Sequence, residues 1–436
     1  MESLKPAKQF NEEACTRCGL CFSECPVMEL PLKRAKEEIE RLIAGEPTNH
    51  VLRKCASCFA CNYLCPEGCN PAELVLQRWY EQYEHKGLPL RARYFSPHEK
   101  LNFRSYVASK MPPDELELIR SWANLTPAEE ILYPGCNIIT APFVTRTKAL
   151  EGMDIRGTLD YCCGETYYRM GLLKEVQKVA RRLERYFKTL GVKRVNVLCT
   201  AGCNMFMNVL PSFGVDFDFE VRPYLPVILD KLESGELSIT NKLQGTATIQ
   251  ESCYGKHLGE EYMDVPRRIL EFIGLEIVEE KKSRGRALCC GIAGGFPPDS
   301  GYHIMDLTRA TLNSLLQARG AGADYTVGYC AGCLQMLSVG RKLLPLGKPP
   351  YHLLELLAAA LGEQMEHSMQ WRASAFLAGV LRHQAPLTFS RKRYRVPEIA
   401  EAPPAIESPG STSETPARQI PPPGSRARGN KETTEI

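Results

Sequence analysis

The sequence predicts an α+β multidomain fold: a helical N-terminal module followed by two similar α/β units. Three observations predict it. A Cys-x2-Cys-x2-Cys-x3-Cys-Pro run occurs twice before residue 67, with an amphipathic helical stretch between the copies. A longer pattern then recurs at a spacing of about 115 residues: strand, lone cysteine, Cys-Cys-Gly, amphipathic helix, strand, closing cysteine pair. Finally, 436 residues with 44% hydrophobic and 24% charged content suit a globular chain of about three domains. The expected organisation is a metal-binding module over 1–90, a helical connector over 91–128, the two units over 129–243 and 244–363, a helical extension over 364–400 and a disordered tail over 401–436.

The first cysteine run is Cys15, Cys18, Cys21 and Cys25-Pro26; the second is Cys55, Cys58, Cys61 and Cys65-Pro66. Three thiols at i, i+3 and i+6 wrap a loop around one cluster, and the fourth, fixed by its proline, reaches across to the other. This is the pattern of two-cluster [4Fe–4S] ferredoxins. It assigns Cys15, Cys18, Cys21 and Cys65 to one cubane and Cys55, Cys58, Cys61 and Cys25 to the second. Paired zinc sites are the alternative; a third close cysteine and a Cys-Pro, both repeated, argue against them. Cys69 is left over and is read as a bystander. Residues 32–45, with an apolar face at Ala35, Ile39 and Leu42, predict a helix ending at Gly45, and a second helix is expected over 71–86.

Residues 88–126 carry no metal motif and read as a connector with a short helix over 115–122. In the first unit a strand over 131–133 leads to Cys136, then Cys162-Cys163-Gly164, then Cys199-x3-Cys203. In the second a strand over 247–250 leads to Cys253, then Cys289-Cys290-Gly291, then Cys330-x2-Cys333. The intervening helices follow from apolar spacings of three and four: Leu172, Val176, Val179, Leu183, Phe187 and Leu190, then Ile304, Leu307, Thr311, Leu315 and Ala318. Short β-rich stretches at 195–198 and 325–329 end at the closing pairs. The ligands thus fall at strand carboxyl ends, where open α/β sheets place their sites. Gly291, Gly294 and Gly295 are not a nucleotide loop, since the G-x-G-x-x-G order is missing; they are read as letting backbone N–H groups approach cluster sulfurs. A helix over 351–361 and another apolar-periodic segment over 365–381 follow. The basic run 391–395 and the tail are expected to be disordered and solvated.

The second unit, Cys-x35-Cys-Cys-Gly-x38-Cys-x2-Cys, resembles the CCG domain of heterodisulfide reductases. The doubled Cys-Pro run resembles the separate ferredoxin-type chain of those enzymes. Fusion of the two in this order resembles their single-chain iron–sulfur form and related respiratory iron–sulfur proteins. The resemblance spans about residues 10–360. It implies that Cys253, Cys289, Cys290, Cys330 and Cys333 hold a noncubane [4Fe–4S] cluster able to bind and cleave a disulfide. It implies the same ligand roles for Cys136, Cys162, Cys163, Cys199 and Cys203. The first unit departs from the pattern, with only 25 residues between Cys136 and Cys162 and a longer closing spacing. Tyr254 stands where the pattern has a histidine, so a proton-transfer or sulfur-bonding role is read for His257 instead.

The bulk numbers narrow the function. Net charge is +3, and from Arg391 onward 8 Lys/Arg face 6 Asp/Glu, so the body is nearly neutral and no nucleic-acid surface is expected. Nineteen cysteines, no apolar signal segment after Met1 and no long apolar run predict a cytoplasmic metalloprotein, associated with membrane only through a partner. No flavin or nicotinamide motif is present, so such a cofactor is expected on a partner. The expectation is an electron-transfer subunit of an anaerobic redox complex, with a flavoprotein or membrane protein as partner. It would carry two [4Fe–4S] cubanes and one or two further clusters. The alternative is a catalytic disulfide reductase acting on a small disulfide at Cys253, Cys289, Cys290, Cys330 and Cys333 with His257.

Overall fold

The computed structural model describes residues 4, 8–364 and 367–401. Helix α1 (Leu32–Ala44) buries Ala35, Ile39 and Leu42 and closes on Gly45, whose φ of 73° places it in the left-handed region. Helix α2 (Pro71–Lys86) starts with proline at its first position and buries Leu74, Leu76, Trp79 and Tyr83. These two helices frame the doubled cysteine runs.

Strands β1 (Leu88–Pro89), β2 (Glu130–Tyr133), β3 (Arg194–Val197), β4 (Glu220–Pro223), β5 (Thr246–Gln250), β6 (Glu276–Ile277), β7 (Tyr325–Gly328), β8 (Pro350–His352) and β9 (Arg393–Tyr394) form three sheets. The first unit holds β2-β3-β4 and the second β6-β5-β7-β8, both parallel throughout. Ile131 pairs with Val195 and Val195 with Val221; Ile249 pairs with Val327 and Val327 with Tyr351. Helix α3 (Leu173–Leu190) crosses between β2 and β3, and helix α4 (Ile304–Ala321) between β5 and β7, as parallel strands require. Both helices bury the faces read from the sequence, apart from Ile304 at the start of α4, which is half-buried.

Strand β4 has no apolar alternation and was not anticipated. Crossing charges hold it: Arg194 bridges Glu130 at 3.1 Å and Glu220 at 2.6 Å, and Arg222 reaches Glu130 at 3.2 Å. The helix expected over 351–361 starts later, as α5 (Leu353–Ala360). Residues 350–352 instead extend the second sheet as its edge, where Pro350 is tolerated. Helix α6 (Met369–Gly379) lies within the segment expected over 365–381, whose first two residues lie outside the described residues.

The basic run 391–395 is ordered, contrary to expectation. Strand β9 pairs antiparallel with β1, Leu88 opposite Tyr394. Its cations are used on carbonyls at the end of α2: Arg393 donates to Lys86 at 2.9 Å and Gly87 at 2.7 Å, and Arg395 to Glu84 at 2.9 Å. A helix carboxyl end attracts positive charge, which is why a run resembling a loose basic tail is fixed here. The tail from 402 onward lies outside the described residues.

Candidate functional site

None of the nineteen cysteines is paired in a disulfide. In the N-terminal module Gly19, at φ 77°, packs where a Cβ would lie 2.8 Å from the Lys36 backbone nitrogen, so the first cysteine loop is pressed onto α1. The Cys21 thiol is raised by burial and by the neighbouring Cys18, Cys65 and Cys15 thiols. Burial also raises the Cys55 thiol, with Cys58 and Cys25 beside it. Cys61, again raised first by burial, feels Cys55, Cys21, Cys25 and Cys58. Cys65 thus lies near the thiols of the first motif and Cys25 near those of the second, and Cys21 and Cys61 bring the two sets side by side. Backbone N–H groups already face sulfur: Ser57 donates to Cys55 Sγ at 3.3 Å and Cys69 to Cys65 Sγ at 3.4 Å. Cys69 is no remote bystander. It is buried, and Cys65 and Cys15 lie against its thiol; its position four residues after Cys65 was the available signal.

In each α/β unit the lone cysteine comes three residues after the first strand and the closing pair begins two residues after the next: Cys136 and Cys199, Cys253 and Cys330. In the second unit the thiols interlock. Cys253 hydrogen bonds with Cys289, Cys289 with Cys290, and Cys290 with Cys333, whose other partner is Cys330. Bonds from Cys289 and Cys333 bring the Cys290 thiol down to about 6, against the effect of burial. In the first unit Cys136, Cys162 and Cys163 interlock likewise and Cys199 is near them. Cys203 differs, its Sγ donating to the Val197 carbonyl at 3.4 Å. The extra residue in Cys199-x3-Cys203 accounts for this, moving the last thiol a further ~100° around the helical turn Thr200–Asn204.

The two sets face one another. After burial, the largest influence on Cys199 is Cys330 of the other unit. A Cβ on Gly332 would lie 2.9 Å from Asn137 Nδ2, next to Cys136. Among the described residues no three His, Cys, Asp or Glu side chains converge as ligands of a single ion, although the thiols gather in sets. Sets of four and five thiols with no other donor type match the soft, all-thiolate ligation of iron–sulfur clusters. The residues therefore fit iron–sulfur clusters.

The glycines after Cys290 act mainly through packing. Gly291 donates to Cys289 Sγ at 3.5 Å, as expected, and a Cβ there, at φ 111°, would overlap Thr311 of α4. Gly294, however, donates to the Gly291 carbonyl, and a Cβ on it would press on the Asp306 carbonyl at 2.9 Å. His257 is half-buried and edge-on to Phe59, with ring centroids 4.4 Å apart, and its buried Nε2 has no hydrogen-bond partner. Burial lowers it to about 3, so it is held neutral.

Sequence reasoning missed the buried cations. Arg169 lies beside Cys253 and Cys289, Arg104 beside Cys136 and Cys162, and Lys256 beside Cys253 and Cys25. None falls in a cysteine motif, so no local signal marked them.

Fold and thiol sets define an iron–sulfur electron-transfer protein. Comparison with known proteins agrees: a 4Fe-4S dicluster domain model matches residues 7–66 and a cysteine-rich domain model residues 247–338. The chain is 25% identical over 419 residues to the D subunit of dihydromethanophenazine:CoB--CoM heterodisulfide reductase of Methanosarcina mazei, covering 83% of this chain and 97% of that one. It is 29% identical over 192 residues to EtfAB:quinone oxidoreductase of Syntrophomonas wolfei, covering 41% of this chain but only 26% of that protein. It is 30% identical over 215 residues to "Probable iron-sulfur-binding oxidoreductase FadF" of Bacillus subtilis, 48% of this chain and 29% of that one. Within its class the chain is an iron–sulfur protein like the D subunit of heterodisulfide reductase. Among the described residues no helix is long and apolar enough to cross a membrane.

Proposed function

We propose that the chain is the electron-transfer subunit of a multi-subunit redox complex. Its four thiol sets form one series: Cys15/Cys18/Cys21/Cys65, Cys25/Cys55/Cys58/Cys61, the second CCG unit, then the first. On this reading residues 1–90 hold two cubanes, and 129–243 and 244–363 hold the CCG clusters. Bound clusters would supply one-electron transfer. The chain's own residues hold the sets in register and exclude water from the inner ones. The observation that carries the reading is contiguity. Cys21 neighbours Cys61, Lys256 lies between Cys25 and Cys253, and Cys330 faces Cys199. The first set contains the half-exposed Cys15, Cys18 and Cys65, which suits electron exchange with a flavoprotein or membrane protein. Anaerobic co-purification from the native host tests this. A redox partner should accompany the chain, whereas a chain recovered alone and turning over disulfides unaided would refute it.

One observation favours a second reading, reduction of a small disulfide. A cleft of about 280 Å³ between the N-terminal module and α4 reaches Cys289, with Arg53, Lys54 and Arg309 against a single carboxylate, Asp306, on its walls. That lining suits an anionic ligand. Titration of the reduced protein with carboxylate-bearing disulfides, followed by EPR, tests it; spectra that no disulfide alters would exclude it.

A further inference from the structure

Buried charge is concentrated around Arg169. This residue ends the short helix Glu165–Arg169, is 3% exposed, and belongs to the first unit, yet its contacts lie mostly elsewhere. Nε donates to Ser57 Oγ at 3.1 Å and Nη2 to the Ala56 carbonyl at 3.0 Å, both within the loop from Cys55 to Cys58. Nη1 reaches Glu165 at 3.3 Å. Its faces are covered by Phe296 at 4.6 Å and Tyr254 at 5.4 Å, the latter adjacent to Cys253. One side chain thus spans the inner ferredoxin-type loop, the first unit and the second CCG set.

Charge balance sharpens this. A cation removed from water needs an anion close by. Glu165 is the carboxylate facing both Arg169 and Arg104, so two buried guanidiniums share one carboxylate, and Lys256 adds a third cation beside Cys253. Burial raises the neighbouring Tyr254 and Tyr302 phenols and so keeps them neutral, which leaves the thiols as the other groups able to carry negative charge. Each guanidinium lies beside the lone cysteine and the first member of the Cys-Cys pair in one unit. The pattern is duplicated although the two arginines come from unrelated positions.

We infer that Arg169 is a positioning residue that ties the Cys55–Cys58 loop to the second CCG set and sets that set's reduction potential through its charge. The inference rests on the electron-transfer reading above. Reduction adds negative charge to the set, and a fixed cation beside it lowers the cost, so removing the cation makes reduction harder. Arg104 has the corresponding role in the first unit.

The test is EPR-monitored redox titration of the whole protein carrying Arg169→Met, Arg169→Lys or Arg104→Met, with iron and sulfide counted in each. In Arg169→Met the second-CCG signal should need a more negative potential, its one-electron reduction equilibrium shifting at least about tenfold, which is about 59 mV. Arg169→Lys should recover most of that shift, and Arg104→Met should move the first-unit signal alone. Full iron with an unmoved potential in Arg169→Met overturns the inference, as does an equal shift at every centre. If Arg169→Met loses second-unit iron, Arg169→Lys decides. Iron retained with a potential within about threefold of wild type supports the inference; a shift of about tenfold, or iron lost from both variants, overturns it. Wild-type iron that stops at the two cubanes would instead defeat the electron-transfer reading itself.

Discussion

Cys290 is where the second CCG set is most tightly knit. It accepts from both Cys289 and Cys333, and its thiol is lowered in spite of complete burial. Replacing it with serine removes a soft ligand and leaves a hydroxyl that binds iron poorly. Cys290→Ser should therefore lose about 4 Fe per chain relative to wild type while the ferredoxin-type signals persist. Iron analysis with low-temperature EPR measures both, and simultaneous loss of all signals would mean that the module and the units assemble as one. At this scale the grouping of the thiols was legible because cysteine spacing is itself a constraint on geometry. Arg169, Arg104 and Cys69 were not legible, because their roles arise only when segments distant in sequence are folded together.

Two elements depend on contacts that hydrophobic periodicity does not encode. Strand β9 is held by Tyr394, buried with its hydroxyl 3.0 Å from Glu99 Oε1, and by arginines on the end of α2. Truncating a buried aromatic costs about 3–5 kcal/mol, so Tyr394→Ala should destabilise the chain by that order and release β9 from β1. Denaturant unfolding gives the first quantity and proteolysis after Arg391 reports the second. Helix α5 is capped by His352, whose Nδ1 accepts from Leu354 N at 3.3 Å while its own backbone N–H donates to Glu355 at 2.7 Å. Burial lowers His352 from 6.5 to about 4. Below pH 6.5 the unfolded chain takes up a proton that the folded chain refuses until about pH 4, so stability falls as pH drops through that window, by roughly 3 kcal/mol in all. Asparagine caps without titrating. His352→Asn should flatten the fall in Tm between about pH 7 and pH 5, and an unchanged slope would show that the cap is not what titrates. Helices α1 to α4 could be read from the sequence because their buried faces recur at helical spacing. Strands β4 and β9 could not, because a charge ladder holds the first and helix-end carbonyls the second, and β8 is a three-residue edge too short to show alternation.

Across the whole molecule the hydrophobic core is continuous from the cysteine module into both units, and ion pairs reinforce the contact: Lys282 with Glu29 at 2.6 Å and Arg286 with Glu24 at 2.7 Å. The repeated architecture was visible in the cysteine spacing, but the order in which the sets are arranged was not, since that order depends on how the module docks. Docking places the buried Cys25/Cys55/Cys58/Cys61 set between the half-exposed first set and the second CCG unit. A protein donor docked at the half-exposed Cys15, Cys18 and Cys65 should therefore reduce the CCG sets through the inner set. Cys58→Ser, which disables that inner set, should leave the first set reducible at the wild-type rate. It should slow reduction of the second CCG set by at least about tenfold when a reduced ferredoxin is the donor, as followed by freeze-quench EPR. Dithionite, which is small enough to enter the cleft at Cys289, should reduce that set at a rate less affected by the variant. Equal slowing with both donors would place the defect in the CCG set itself. Wild-type rates with ferredoxin would mean that electrons enter through the half-exposed Cys136, Cys199 and Cys330, reversing the series from its far end.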